Sequence, residues 1–161
     1  MPQQCAGFLS YAHADTVLVE RLIDLLRPRC ANLRELELGS WWDQRILAGE
    51  YWEQEVATAM DAADFGLFCI SPSFLASRYV TEVELPAFLP AARAIIPVGL
   101  EAIDCGRADL KGLEALQIFR YRRRGAKSPL WFAECAGINR ARFCDDLVAQ
   151  MADRMKPCCR N

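Results

Sequence analysis

Residues 65–70 read FGLFCI, six consecutive positions without a polar or charged side chain. A short run that is apolar at every position is typical of a strand covered on both faces, as in the centre of a parallel sheet. Residues 71–86, SPSFLASRYVTEVELP, follow directly and are first irregular and then helical in pattern, with Pro86 interrupting the helix. A buried strand followed by such a connection favours an α/β fold.

Strand and helix patterns also alternate along the rest of the chain. Four more apolar or alternating runs predict strands at residues 5–11, 35–42, 94–100 and 113–119. Apolar residues at helical spacing predict helices from a cap at Asp15 to Pro28, over about residues 52–63, and over 139–155. Pro97 lies inside one predicted strand, which favours an edge position or a bulge there. This alternation predicts a parallel sheet with helices on its faces.

Composition and charge limit the classes of function. The 161 residues are 53% hydrophobic and 25% charged, which fits one soluble domain over residues 1–157 with a short tail at 158–161. The net charge of −2 disfavours nucleic-acid binding through the whole surface. No apolar run reaches the roughly 18 residues of a membrane span, and the N-terminus lacks a signal-peptide pattern. We expect a cytoplasmic protein with no membrane contact.

Cysteine and histidine spacing argues against a metal site. The chain has eight cysteines but no CxxC pair, and His13 is its single histidine. Neither a GxGxxG nor a GxxxxGK[ST] motif occurs, so a phosphate-cradling loop is not predicted. The sequence therefore predicts neither a metal nor a bound cofactor.

Polar and aromatic residues follow the first three predicted strands. Ser10 and Tyr11 end the first, Trp42 and Asp43 end the second, and Ser71 follows the third. Ligands of open parallel sheets bind beyond the carboxyl ends of the strands. We expect these side chains to border one site, although Ser10, Tyr11 and Asp43 also fit strand ends and turns.

Three segments resemble the conserved motifs of Toll/interleukin-1 receptor (TIR) domains. FLSYAHAD at residues 8–15 resembles the first box, and WWDQRILAGEYW at 41–52 is similar to the second box and the BB loop. FGLFCISPSFLASRYVTEVELP at 65–86 is similar to the third strand and the following segment of bacterial members. The resemblance implies a flavodoxin-like three-layer fold with a five-stranded parallel sheet in the order 2-1-3-4-5.

The resemblance also implies an activity. Enzymatic TIR domains cleave NAD⁺ as a substrate, releasing nicotinamide, and place a glutamate near the nicotinamide ribose. Glu84 matches that glutamate by position. The residues that the resemblance and the strand ends assign to substrate binding are Phe8, Ser10, Tyr11, Trp42, Asp43, Ser71, Ser77 and Tyr79.

Two alternatives to a catalytic Glu84 stay open from the sequence. Glu82 lies two positions away, and on a helix the two side chains would point about 200° apart, so only one can face the site. Thr81 and Glu84 also fit a capping box, in which Glu84 would only bond back to the start of a helix.

The chemistry is compatible with one carboxylate. Glycosidases usually need two, because an oxygen leaving group must be protonated. Nicotinamide leaves from a cationic nitrogen as a neutral ring, so no acid is required. One ionised carboxylate can stabilise the oxocarbenium-like transition state. Water or a second nucleophile would then give ADP-ribose or a cyclic isomer.

The resemblance implies partners as well. Other TIR domains are expected through self-assembly at the BB loop, about residues 43–52, and a fused or separate sensor module is possible. The resemblance also implies a role in bacterial anti-phage immunity or signalling. Two other hypotheses remain, a non-enzymatic TIR scaffold and a flavodoxin-like small-molecule sensor. The basic segment RYRRRGAK at 120–127 is interpreted as a solvated loop, with an anion contact or an acidic partner as the alternative.

Overall fold

The computed structural model describes residues 2–38, 52–89 and 94–155. Trp42, Asp43, the second half of the predicted strand 35–42, the predicted BB loop up to residue 51 and the tail 158–161 lie outside the described residues. The described strands are β1 (Gln3–Gln4), β2 (Gly7–Ser10), β3 (Leu36–Glu37), β4 (Phe65–Ile70) and β5 (Ala94–Gly99). The described α-helices are α1 (Thr16–Ala31), α2 (Trp52–Ala62), α3 (Pro72–Ala76), α4 (Leu85–Phe88) and α5 (Ile138–Met155).

Strand β4 is the centre of a parallel sheet with the order β2-β4-β5. Ser10 at the end of β2 is opposite Phe68, and Gly99 at the end of β5 is opposite Ile70. All six residues of β4 are buried, as the unbroken apolar run predicts. β1 and β3 form a separate parallel pair. The carboxyl ends of β2, β4 and β5 therefore meet at one edge.

Helices cover both faces of this sheet. Leu67 and Cys69 join one buried cluster with apolar side chains of α1 and α5. Phe68 and Ile70, which point to the opposite face, join a second cluster with side chains of α2, α3 and α4. The fold is therefore a three-layer α/β arrangement of flavodoxin-like type.

The predicted fifth strand over 113–119 is largely wrong. Residues Leu113–Ala115 form a 3-10 turn that follows Gly112, whose φ of 95° lies in the left-handed region. Only Phe119 bridges the sheet, opposite Val98. The 3-10 turn takes up the first three positions of the predicted strand, and the apolar Leu113 is buried in the second cluster.

Pro97 is compatible with β5 because of its place near the sheet edge. Its carbonyl accepts a hydrogen bond from the Phe119 N–H at 2.7 Å, on the side away from β4. The nitrogen of Pro97, which carries no hydrogen, faces the same sparsely paired side. The backbone hydrogen bonds between β5 and β4 are therefore not interrupted. The expectation of an edge position is confirmed.

Helix α1 continues three residues past Pro28, where the sequence predicted its end. Its last turn is held by tertiary contacts. Cys30 is buried in the first cluster, and Arg29 Nε lies 2.6 Å from Asp145 Oδ1 on α5. These contacts outweigh the lost hydrogen bond at proline. No helix among the described residues is long and apolar enough to cross a membrane.

Candidate functional site

The carboxyl edge of the sheet contains a buried serine–glutamate pair. Ser10, the last residue of β2, donates a hydrogen bond from its hydroxyl to Oε2 of Glu84 at 2.5 Å. Ser10 is 1% exposed and Glu84 is 7% exposed. A carboxylate at this depth needs a partner, because burial without one is costly. Among the described residues, no side chain hydrogen-bonds to the other oxygen, Oε1.

Glu84 ends a single π-helical turn over Val80–Glu84. The N–H of Leu85 bonds to the carbonyl of Val80, five residues earlier. Pro86 follows and has no N–H to offer to the carbonyl of Glu82, so a regular α-helical bond is not available at this point. Single π turns inside helices occur frequently at functional sites.

The turn separates the two candidate glutamates. Glu84 is buried against Ser10, whereas Glu82 is exposed to solvent. The capping box that the sequence left open does not form. The Glu84 side chain makes no capping bond, and the Thr81 hydroxyl donates to the Ser77 carbonyl at 2.9 Å.

Burial changes the acidity of Glu84. The pKa of Glu84 is raised from an ordinary 4.5 to about 7, because the loss of water around the carboxylate, which raises it, outweighs the hydrogen bond from Ser10, which lowers it. Near neutral pH, the carboxyl group is therefore present in both protonation states. A carboxyl group of this acidity can act as a charge stabiliser or as a proton acceptor.

A second buried pair lies at the same edge of the sheet. Ser71 follows β4 directly, and its hydroxyl donates a short hydrogen bond to Oδ2 of Asp15. The hydroxyl oxygen of Ser71 also accepts the N–H of Phe74 at 2.9 Å and so caps α3. Ser71 has no exposed surface, and Asp15 is 7% exposed.

Asp15 was predicted only as a local cap of α1. It occupies that position, but its side chain makes no capping hydrogen bond. Its carboxylate instead binds Ser71, 56 positions away in the chain. In the sequence, the signal for this role is a serine directly after a buried strand, together with the aspartate of the first box. Spacing alone does not show that the two residues are in contact.

The two pairs are reciprocal. One connection runs from the end of β2 into α1 and carries Ser10 and Asp15; the other runs from the end of β4 into α4 and carries Ser71 and Glu84. The serine of each connection donates to the carboxylate of the other. The two connections are thus joined at two points.

The structure places Phe8 in the core. Phe8 is 4% exposed, and its ring stacks on that of Phe88 with centroids 5.5 Å apart. Phe68 packs edge-on against Phe88 at 5.3 Å. Phe8 therefore packs in the core, and its contact with a substrate stays a prediction.

The remaining described candidates lie near the pairs but are less buried. Tyr11 and Tyr79 are half-buried and pack against the first and the second apolar cluster, respectively. Ser77 is half-buried, and its hydroxyl accepts the N–H of Val80 at 3.4 Å at the start of the π turn. His13 is exposed.

The basic segment lies on a hairpin beyond β5. Tyr121 and Leu130 form an antiparallel bridge, and Arg122, Arg123 and Arg124 between them are exposed. This arrangement agrees with the interpretation of a solvated loop. Within the described parts of the chain, no group of three or more His, Cys, Asp or Glu side chains is arranged to hold a metal ion.

Two comparisons show which proteins the chain is similar to. A family model described as a TIR domain matches residues 8–128. The chain is also similar to the uncharacterized protein y4lF of Sinorhizobium fredii (strain NBRC 101917 / NGR234), with 31% identity over 114 residues. That alignment covers 68% of this chain and 34% of y4lF, so the chain spans about a third of that relative. Both serine–carboxylate pairs lie inside the family match.

Proposed function

The chain belongs to the TIR domain family, and on that premise we propose that it cleaves the nicotinamide–ribose bond of NAD⁺ with Glu84 as the catalytic carboxylate. The observation that carries the proposal is the buried Glu84 carboxylate, held by Ser10 at the carboxyl edge of the sheet. A ligand of an open parallel sheet binds at this edge. A surface used only for protein contacts has no chemical need for such a group.

The proposed reaction begins with cleavage of the bond between C1′ of the ribose and the ring nitrogen of nicotinamide. The bonding electron pair leaves with the nitrogen, so the cationic ring departs as neutral nicotinamide. Positive charge then develops on C1′ and the ring oxygen of the ribose. The ionised carboxylate of Glu84 stabilises that charge in a site with little water, where an electrostatic contact is strong.

A nucleophile completes the reaction. In hydrolysis, water bonds to C1′ and gives up a proton, which Glu84 can accept because its pKa lies near 7. The products are nicotinamide, ADP-ribose and one proton. If a ring nitrogen of the adenine attacks instead, the product is a cyclic ADP-ribose isomer.

We assign supporting roles to several residues. Ser10 orients Glu84 through Oε2, which leaves Oε1 to face the ribose hydroxyls. Tyr79 and Tyr11, both half-buried, border the same edge and can offer aromatic surface to the substrate rings. Ser71 and Ser77 hold the segment that carries Glu84. Trp42 and Asp43 keep their assignment from the family resemblance.

Assembly is part of the proposal. TIR domains generally associate with other TIR domains, and we propose that a second copy closes the cleft with its BB loop, about residues 43–52. NAD⁺ cleavage would then follow assembly, in keeping with a role in bacterial anti-phage immunity or signalling. A scaffold without turnover is the competing function, and it would also assemble.

Nicotinamide release from NAD⁺ tests the proposal. Purified protein at high concentration is compared with Glu84→Gln and with Glu82→Gln, a matched control two positions away on the exposed side of the turn. We expect Glu84→Gln to lose at least about a hundredfold in turnover and Glu82→Gln to keep it. Equal turnover in wild type and Glu84→Gln would reject the assignment. Absence of turnover in assembled wild-type protein would favour the scaffold.

A further inference from the structure

We propose that Asp15 is a positioning residue for Glu84 and acts through Ser71. The inference rests on the proposed function only in giving Glu84 a catalytic role. The hydrogen bonds that link Asp15 and Ser71 to the segment of Glu84 are present in the folded protein without substrate. Their effect on Glu84 can therefore be measured without turnover.

The first step of the argument is the burial of the Asp15–Ser71 pair. Asp15 is 7% exposed and Ser71 is fully buried, so water competes little for their hydrogen bond. Breaking a buried pair leaves one polar group without a partner, which costs more than an exposed bond contributes. The pair is therefore a strong constraint on the two segments that it joins.

The second step is the position of Ser71 in its own segment. Its oxygen both donates to Asp15 and accepts the N–H of Phe74. The Asp15 carboxylate thereby fixes the hydroxyl rotamer that caps α3. Without that anchor, the Ser71 side chain could turn away from Phe74, and the cap would be weakened.

The third step connects α3 to Glu84. Ser77 ends α3, and its carbonyl accepts hydrogen bonds from both the N–H and the hydroxyl of Thr81, at 3.1 and 2.9 Å. Thr81 lies in the π turn that ends at Glu84. A displacement of Ser71 is therefore transmitted to Glu84 through α3 and the π turn, without an intervening loop.

The fourth step is the reciprocity of the two pairs. The Ser10–Glu84 bond alone would leave the second connection free to rotate about that contact. The Asp15–Ser71 bond adds a second point of attachment between the same two connections. Two points suppress that rotation, and Oε1 of Glu84 keeps one direction relative to the sheet edge.

Kinetic measurements on four variants test this role. Ser71→Ala removes the connecting hydroxyl, Ser71→Thr restores it, and Asp15→Ala removes the acceptor. Thr16→Ala removes a neighbouring hydroxyl that donates to the carbonyl of His13. We expect Ser71→Ala to lower kcat on the order of tenfold, because a displaced catalytic group is costly. KM should change less than about twofold, since ground-state binding is retained. Ser71→Thr should recover most of the loss, and Thr16→Ala should match wild type.

A second measurement does not need turnover. The carboxyl carbon of Glu84 is followed by NMR during a pH titration of the ligand-free protein and is assigned with Glu84→Gln. Its titration in wild type reflects burial and the Ser10 bond. In Ser71→Ala, a loosened turn admits water, and the midpoint should fall toward the ordinary value for glutamate. If Ser71→Ala fails to fold, Asp15→Ala, which removes the acceptor of the same bond, gives the same comparison.

The two measurements separate the hypotheses. A moved Glu84 titration in protein that never releases nicotinamide supports the positioning role and rejects the proposed function. If Ser71→Ala has the kcat of wild type and the same Glu84 titration midpoint, the positioning role is overturned. The proposed function is not affected by that result. An Asp15→Ala/Ser71→Ala double variant should be no worse than the poorer single variant, because both substitutions remove one and the same bond. Additive losses would contradict that route.

Discussion

Ser10 and Glu84 lie 74 positions apart in the chain, yet the Ser10 hydroxyl donates a hydrogen bond to the Glu84 carboxylate at 2.5 Å. Two influences act on that carboxylate in opposite directions, since burial favours its protonated form and the bond from Ser10 favours its ionised form. Glu84 therefore titrates near neutral pH, and loss of the Ser10 hydroxyl should raise its pKa further.

The rate of NAD⁺ cleavage should depend on pH through Glu84. On the proposed function, in which the ionised form stabilises the developing cation, kcat/KM should rise about tenfold per pH unit below the pKa of about 7 and become constant above it. Initial rates of nicotinamide release between about pH 5.5 and 8.5 measure this profile. A profile that falls with rising pH across this range would contradict a carboxylate that must be ionised.

Ser10→Ala should move that profile to higher pH. The substitution removes the hydrogen bond that lowers the pKa of Glu84, while the burial that raises it remains. Activity near pH 7 should fall and recover above about pH 8. Ser73→Ala, in the helix that follows Ser71, is the control and should keep the wild-type midpoint. A midpoint displaced to lower pH would show that solvent entry, rather than the lost bond, dominates.

Glu84→Gln should stabilise the fold in a pH-dependent way. The folded-state pKa of Glu84 lies above its ordinary value, so folded wild type binds more protons than the unfolded chain and loses stability as pH rises from about 4.5 through 7. Glutamine carries no charge and avoids this loss. Its free energy of unfolding should exceed wild type by up to about 3 kcal/mol near pH 8.

Urea denaturation at about pH 8 and pH 5 measures this difference. Most of the gain should disappear at the lower pH, because wild-type Glu84 is then largely protonated in the folded state. Glu82→Gln is the matched control, since its side chain is exposed. A gain of equal size at both values would mean that packing, not charge, is responsible.

Gly66→Ala should destabilise the chain by about 1–3 kcal/mol. A Cβ at this position would lie 2.5 Å from Cε2 of Phe68 and 3.0 Å from Cε1 of Phe88, both inside the core beneath α4. Thermal or urea unfolding measures the effect. In Gly106→Ala the nearest atom would be 3.4 Å away, so that control should stay within about 0.5 kcal/mol of wild type. Equal stability of the two variants would contradict close packing at Gly66.

Specific activity should increase with protein concentration. If a second copy closes the cleft, the fraction of complete sites follows mass action. Nicotinamide release per mole of protein is measured over about a hundredfold range of concentration, with light scattering in parallel. A constant specific activity in protein that remains monomeric would show that one copy is sufficient.

Local chemistry made much of the architecture predictable. The apolar run at 65–70 identified the central strand because no half-exposed strand tolerates six apolar positions in a row. The closing helix was predicted over 139–155 and is observed from Ile138 to Met155. Helical geometry predicted that only one of Glu82 and Glu84 could face the site, and the family resemblance favoured Glu84; the structure has Glu84 buried and Glu82 exposed.

Contacts between distant segments were not predictable. The helix end at Pro28 was wrong because Arg29 and Cys30 make contacts with α5 and the core that no local pattern records. The role of Asp15 was missed for the same reason, since a capping aspartate and one that binds Ser71 have the same local sequence. The fifth strand was wrong because the burial of Leu113 in the second cluster accompanies a 3-10 turn over Leu113–Ala115, a tertiary contact that the apolar run does not distinguish from a strand.

The reciprocal bonds between the two connections have a consequence for synthesis of the chain. Each bond joins residues more than fifty positions apart, and contacts of such separation form late in folding because a long loop must close first. A nascent chain that has not yet paired β2 with β4 has neither Glu84 nor Ser71 in place. On the proposed function, an incompletely folded chain would therefore not cleave NAD⁺ in the cell, because cleavage requires the folded site.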